Sequence, residues 1–441
     1  MTNVMKKTFL LIALLFVSTV TFSQNVLSLF SKTNQFFIFM AEEKFTDAHK
    51  SFDETEQAKI SPEQLKELWD NITAKLGKPV TLDAVQSKLQ GEFYAVTVEG
   101  EFEKDNQNFV VLFNKAEKII GLFMPPKASV YTKPLYADTN LYEEKSVYLQ
   151  TPGHQLAAVI TTPKNVKNFP MVVLVHGSGP NDMDASVGPN KPFKDLAAGL
   201  ASKGIGSIRY VKRTLVYAHE FTKTFTVKEE VTDDAVAAVA LAKTVAGANP
   251  KNVYVFGHSL GGMLAPRIAT LTPDIAGIIL AAAPARKLTD IIVEQNKYMF
   301  ELAKDTTEAS KKQFQTVITE IERSKLSKLN DIKADSVIIG LPAAYWVDLN
   351  VYDQVATAKK LTKPRIFVLQ GGNDIQVSET DYNLWSAGLA KKANVTFKLY
   401  PELNHLLSPQ TEKSNGSQYQ VPVNVSETLI NDIAAWIKAG K

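Results

Sequence analysis

Ser259 stands in Gly257-His258-Ser259-Leu260-Gly261-Gly262, directly after the apolar stretch Val253-Tyr254-Val255-Phe256 and ahead of a helix-compatible run. A serine on a sharp strand-to-helix turn needs very small residues two before and two after it, because the flanking backbones nearly touch. Such a turn lifts the hydroxyl clear of the sheet and leaves the following N–H, that of Leu260, free to face a developing oxyanion. A serine hydroxyl attacks only when a base takes its proton, and an oriented histidine is the usual base. The chain has six histidines, at 49, 154, 176, 219, 258 and 405. Where the nucleophile sits on this kind of turn, the acid and then the histidine follow it along the chain. Only His405, in Pro401-Glu402-Leu403-Asn404-His405-Leu406, lies beyond Ser259.

The acid is expected at Asp374, because the apolar strand 365–369 runs into Gln370-Gly371-Gly372-Asn373-Asp374-Ile375-Gln376-Val377. A carboxylate there can accept the imidazole N–H and fix its tautomer. Asp290, in a loop after an earlier strand, is the reserve. A second oxyanion donor is expected from His176-Gly177-Ser178-Gly179-Pro180, after the strand 171–175, and by position it is the Ser178 N–H. That loop lacks the Gly-Lys-Ser/Thr ending of a phosphate cradle. His219-Glu220 begins like a zinc helix motif, but Lys223 stands where its second histidine belongs. No metal or cofactor is called for.

These residues must be carried by a covered, mostly parallel sheet. Short apolar strands at 157–162, 171–175, 206–210, 253–256, 277–282 and 365–369 are separated by helices at 193–202 and 233–245. A last strand at 396–399 and a closing helix at 426–438 complete it. Ligands of such sheets collect at the carboxyl ends of the strands, where every candidate falls. Between about 286 and 358 amphipathic helical spacing replaces the strands, as in a cap over a site. Tyr345, Trp346 and Tyr352 in that insert, with His258 and Met183, are candidate pocket residues.

The preceding part, 24–126, reads as a small α+β domain. A helix is expected over 34–52, and a second opens on Ser61 as N-cap, Pro62 at N1 and Gln64 closing a capping box. Alternating runs at 93–100, 108–113 and 118–124 follow, and residues 127–144 form a polar linker to a body spanning 145–441. Two helices before an antiparallel sheet resemble a cystatin-like or nuclear-transport-factor-like domain.

Residues 1–23, with Lys6 and Lys7 ahead of the apolar run 9–17, read as a cleaved secretory signal, placing the protein in the periplasm or outside the cell. No stable membrane anchor remains after cleavage. Without that segment, Lys and Arg outnumber the acids by one, which argues against a nucleic-acid partner. The chain has no cysteine, so thiol catalysis and disulfides are excluded.

The segments G-H-S-L-G-G, H-G-S-G-P-N-D with the following G-P-N-K-P-F (188–193), and G-G-N-D-I-Q-V resemble the α/β-hydrolase superfamily. More narrowly they resemble exported bacterial serine hydrolases of the esterase and serine-aminopeptidase-like branch, which carry a small N-terminal domain of unknown function. The similarity spans essentially the whole chain after residue 23. It departs at Met183, where a basic residue is common, and at Val211, where an aspartate is common. The resemblance implies an α/β-hydrolase fold with a helical cap, and a small-molecule ester or a short acyl or peptide substrate. Three functions are therefore open: ester hydrolysis through an acyl-serine, aminopeptidase-like cleavage of short peptides, and binding without catalysis on a hydrolase scaffold.

Overall fold

The structure is a computed structural model, and it describes residues 27–90, 93–125, 130–413 and 415–440. The signal segment expected at 1–23 lies outside the described residues. The chain divides into two compact units between residues 127 and 128.

In the first unit a helix covers residues 27–41 and a short one follows at Phe45–His49, where a single helix over 34–52 was expected. The break lies at Glu43, whose φ of 58° lets the Lys44 N–H reach back to the Phe39 carbonyl at 2.8 Å. That is a left-handed helix ending made without glycine. The helix Pro62–Leu76 begins as its residues dictate, with the capping box of Ser61 and Gln64 formed and Pro62 in the first turn. Four antiparallel strands follow in sequential order: β1 (Pro79–Gln90), β2 (Phe93–Phe102), β3 (Asn106–Phe113) and β4 (Ile119–Phe123). β1 was not expected. It is an edge strand with polar residues on both faces, so it carries little alternation to read. Phe36, Phe37, Trp69, Phe102 and Phe109 fill the core of this unit.

The second unit holds an eight-stranded sheet. Its strands are β5 (Tyr142–Thr151), β6 (His154–Pro163), β7 (Phe169–Val175), β8 (Gly206–Tyr210), β9 (Ala248–His258) and β10 (Gly277–Ala281). After a two-residue pair in the insert, β11 (Val337–Ile338) and β12 (Leu341–Pro342), come β13 (Arg365–Gly371) and β14 (Val395–Tyr400). The spatial order is β14-β13-β10-β9-β7-β8-β6-β5, and only β6 runs antiparallel to its neighbours. The residues taken as linker up to 144 are partly structural: β5 begins at Tyr142, and the Tyr136 hydroxyl donates to the Val425 carbonyl at 2.7 Å.

Uninterrupted apolar strands arise because both faces are covered. Met171, Val173 and Val175 of β7, with Val253 and Val255 of β9, pack with the helices Asp233–Ala242 and Leu260–Leu271. Val172, Leu174, Tyr254 and Phe256 pack on the other face with Pro192–Ala201 and Glu427–Lys438. The insert is helical, with Leu288–Ala303 and Glu308–Arg323 forming a hairpin in which Phe300 and Phe314 stack at 4.4 Å. Ala343–Val351 and Gln354–Lys360 lead back to the sheet. Arg286 anchors the base of this cap on Asp381, 2.7 Å away. Among the described residues no helix is long and apolar enough to cross a membrane.

One buried charge pair ties β5 and the helix Asp233–Ala242 to the short helix Arg213–Val216. Asp234, at a helix start, accepts from the Arg213 guanidinium and, at 2.7 Å, from Thr151 of β5. Both charges are out of solvent. Removing one partner strands the other, so Asp234→Ala is expected to lower the unfolding free energy of this unit by about 3–5 kcal/mol. The exposed pair Lys66–Asp70 is a control, since Lys66→Ala should change stability by no more than about 1 kcal/mol. Urea titration of both variants checks the contrast.

Candidate active site

β9 ends at His258, and the chain turns at Ser259 with φ 55° and ψ −119° before the helix Leu260–Leu271 begins. A non-glycine residue held in this region stores of the order of 1–3 kcal/mol of strain and persists only where its surroundings over-determine it. Here the surroundings are backbone. A Cβ on Gly257 would sit 2.2 Å from the Gly261 carbonyl oxygen, and one on Gly261 would sit 2.4 Å from the Val175 carbonyl oxygen. The glycines therefore let β9, the helix start and the loop after β7 press together around one serine. The Ser259 N–H donates to Ala281 of β10 at 2.9 Å, fixing the turn against the neighbouring strand. As the first helical residue, Leu260 has an N–H with no acceptor in the preceding turn.

Asp374 and His405 meet beyond β10, in the loops that follow β13 and β14. Asp374 is buried, and its Oδ1 accepts the N–H groups of Gln376 and Val377 at 2.7 and 2.9 Å. Its Oδ2 accepts from His405 Nδ1 at 2.7 Å and from Gln370 Nε2 at 3.1 Å. With the proton of His405 on Nδ1, Nε2 keeps a lone pair, as a general base requires. The histidine loop is itself clamped: Asn404 Oδ1 accepts the N–H groups of Leu406 and Ser408, and the Asn373 N–H reaches Leu403 O at 2.9 Å. Asp290 lies apart, on the cap helix, where it pairs with Lys325 at 3.0 Å. His219 stays on the surface, its side chain 78% exposed.

Ser259 and His405 line a common cavity of about 600 Å³. Gly177, Ser178, His258, Tyr345 and Trp346 line it too. Met183 and Tyr352 do not line it. Met183 belongs to a turn wound around Asp182 Oδ1, which accepts the N–H groups of Asp184 and Ser186 at 3.0 Å. The ring of Tyr352 is covered by the Arg267 guanidinium, 4.2 Å from its centre. Leu288, Ile291, Ile292 and Leu341 of the cap, with Phe221 and Phe225 from the segment before Asp233, belong to its apolar wall. Leu288, Ile291 and Ile292 carry helical spacing alone and the phenylalanines lie in a polar stretch, so neither group announces a pocket in the sequence.

Two more histidines, both buried, support the site. His258 Nε2 bonds the His405 carbonyl at 2.7 Å, and His176 Nε2 bonds the Asp182 carbonyl at 2.9 Å. Burial pushes the His258 imidazole down to about 3, helped by the adjacent His405. Burial likewise pushes His176 down to about 3, helped by the Lys212 charge.

Residues 222–412 match the family described as "Serine aminopeptidase, S33", and residues 33–122 match a family described as a protein of unknown function (DUF3887). Esterase EstD of Thermotoga maritima is 34% identical over 399 residues, which cover 90% of this chain and 92% of that protein. Among solved structures, Est1E from Butyrivibrio proteoclasticus aligns at 15% identity with a TM-score of 0.44, covering 67% of this chain and 98% of its own. An esterase of Pyrococcus furiosus aligns at 14% identity with a TM-score of 0.41, covering 71% of this chain and 98% of its own.

Two outcomes are expected. Gly261→Ala must part the helix start from the loop after β7, and turnover should fall at least about a hundredfold, as misplacement of reacting groups by an ångström does. Steady-state kinetics on the soluble variant checks this. The buried histidines make the fold acid-labile. Their native pKa values lie near 3, below the ordinary 6.5, so the unfolded chain binds protons that the native one refuses. Their contribution is intact above pH 6.5 and declines as pH falls toward 3. Each contributes a slope of up to about 1.4 kcal/mol per pH unit. Urea unfolding between pH 7.5 and 5 should show this slope reduced in His176→Asn.

Proposed function

The chain belongs to the α/β-hydrolase superfamily, and we propose that it hydrolyses small carboxylic esters through an acyl-serine on Ser259. His405 Nε2 takes the Ser259 proton as Oγ attacks the ester carbonyl. The proton then passes to the departing alcohol, and the same base activates water to release the acid. Asp374 holds the imidazole in the required tautomer and stabilises the imidazolium. The N–H groups of Leu260 and Ser178 receive the oxyanion. The observation that carries this reading is the 2.7 Å bond from His405 Nδ1 to the buried Asp374, beside a serine held at φ 55° in the same cavity.

An ester is favoured over a peptide by the charges of the cavity. An aminopeptidase needs a carboxylate free to meet the substrate's α-ammonium group. Among the described residues the cavity wall holds one acid, Glu230, and no lysine or arginine. Glu230 is already engaged by Lys212, by the Gly179 N–H at 3.2 Å and by the Tyr345 hydroxyl at 2.5 Å. The similarity to an esterase, EstD, over nearly the full length agrees with that choice. The basic and apolar segment 1–23 supports action outside the cytoplasm.

A fluorophosphonate probe should label the protein and leave Ser259→Ala unlabelled. Nitrophenyl esters should turn over and aminoacyl anilides should not. An unlabelled parent protein overturns both enzyme readings, and anilide turnover without ester turnover overturns the esterase. Asp374→Asn should lower kcat by about 10⁴, as loss of the orienting carboxylate does in such triads.

A further inference from the structure

Behind the loop that follows β7 lies a buried ion pair that proton transfer does not use. Lys212, just past β8, is almost wholly out of solvent, as is Glu230 in the π-helical turn Lys228–Thr232. Lys212 Nζ donates to the Gly177 and Gly179 carbonyls, each at 2.8 Å, and to Glu230 Oε1. The same Glu230 oxygen accepts the Gly179 N–H at 3.2 Å, and Oε2 accepts the Tyr345 hydroxyl at 2.5 Å. Tyr345 belongs to the helix Ala343–Val351 of the cap.

The geometry has a directional consequence. A trans peptide points its C=O and its N–H to opposite sides. No cis bond occurs among the described residues, so a Gly177 carbonyl drawn toward Lys212 turns the Ser178 N–H away from it. That peptide lies against the nucleophile, since a Cβ on Gly177 would stand 3.1 Å from Ser259 Cβ. Among the described residues the Ser178 N–H has no acceptor, whereas the Gly179 N–H is already taken by Glu230.

We propose that Lys212 and Glu230 are positioning residues that hold the Ser178 N–H toward the oxyanion, and that Tyr345 makes this setting depend on the docked cap. The proposal rests on the esterase reading of the same site. Without the ammonium, the Gly177–Ser178 peptide is free to rotate and the oxyanion loses one of two donors. Without the Tyr345 hydroxyl, Glu230 and the loop lose their link to the cap, while the apolar wall keeps its shape.

The test compares Lys212→Met, Glu230→Gln and Tyr345→Phe on nitrophenyl butyrate and against an alkyl trifluoromethyl ketone, whose serine adduct carries the oxyanion. Loss of one oxyanion donor lowers kcat by about 10²–10³. Lys212→Met and Glu230→Gln should approach that loss with KM within about twofold, and the ketone inhibition constant should rise by the same factor. Tyr345→Phe should show the same pattern at about tenfold, and it remains informative should the charge variants not fold. A wild-type ketone constant and kcat in Tyr345→Phe, or in a folded Glu230→Gln, overturns the proposal. So does a loss that appears in KM with the ketone constant unchanged. If the parent protein neither takes the fluorophosphonate nor binds the ketone, the esterase reading itself falls, and the clamp with it. If the parent reacts, Ser259→Ala does not, and the three variants match the parent, only the clamp falls.

Discussion

The second unit is organised around one strained residue, Ser259, held with φ at 55° between a strand and a helix. Such a conformation survives only if the surrounding backbone leaves no alternative. The glycines at 257 and 261 allow that crowding, because any side chain there would overlap a carbonyl. The same contact ties β9 to the loop after β7 and the helix start to both. Strand order then does the rest. With β10 and β13 next in the sheet, the carboxyl end of β13 and the loop after β14 deliver Asp374 and His405 to the same edge.

Charge is handled differently at three depths of the site. Asp374 is buried and receives four donors, which fix both of its oxygens against the histidine loop. His176 and His258 are buried and stay neutral, each using a ring nitrogen to hold a loop carbonyl. Glu230 and Lys212 remain as a pair, and the donors and carbonyls around them consume the hydrogen-bonding capacity that a charged substrate would seek. Among the described residues the cavity wall is left without a free acid, lysine or arginine, in keeping with the proposed ester substrate, whose two ends need no ionic partner.

Much of the architecture was legible along the chain. Strands such as 171–175 and 253–256 announce themselves because burial on both faces permits no polar residue. The helix at Pro62 was legible because its capping box is local chemistry. The misses have physical causes. β1 is an exposed edge whose side chains need not alternate, and the helix break at Glu43 has no glycine to mark it. Tyr142 to Glu144 look like linker because an outer strand tolerates charge on its open side. Met183 drew attention as a departure from the resemblance, but the turn around Asp182 takes it out of the cavity wall.

By itself the sequence singled out Ser259 and His405, because a sharp strand-to-helix turn demands small residues at set positions and only one histidine follows that serine. It also placed the loops carrying Asp374 and His405 at the edge where Ser259 stands, since parallel strands bring successive loops to one edge. The tertiary structure alone put Asp374, and not Asp290, against His405, burying the first there and sending the second to the cap. It alone joined Lys212, Glu230 and Tyr345, which stand 18 and 115 residues apart and carry no motif. Patterns of type and spacing record what the backbone must do locally. Which side chains then neutralise one another depends on the closing of long loops, and no local pattern encodes it.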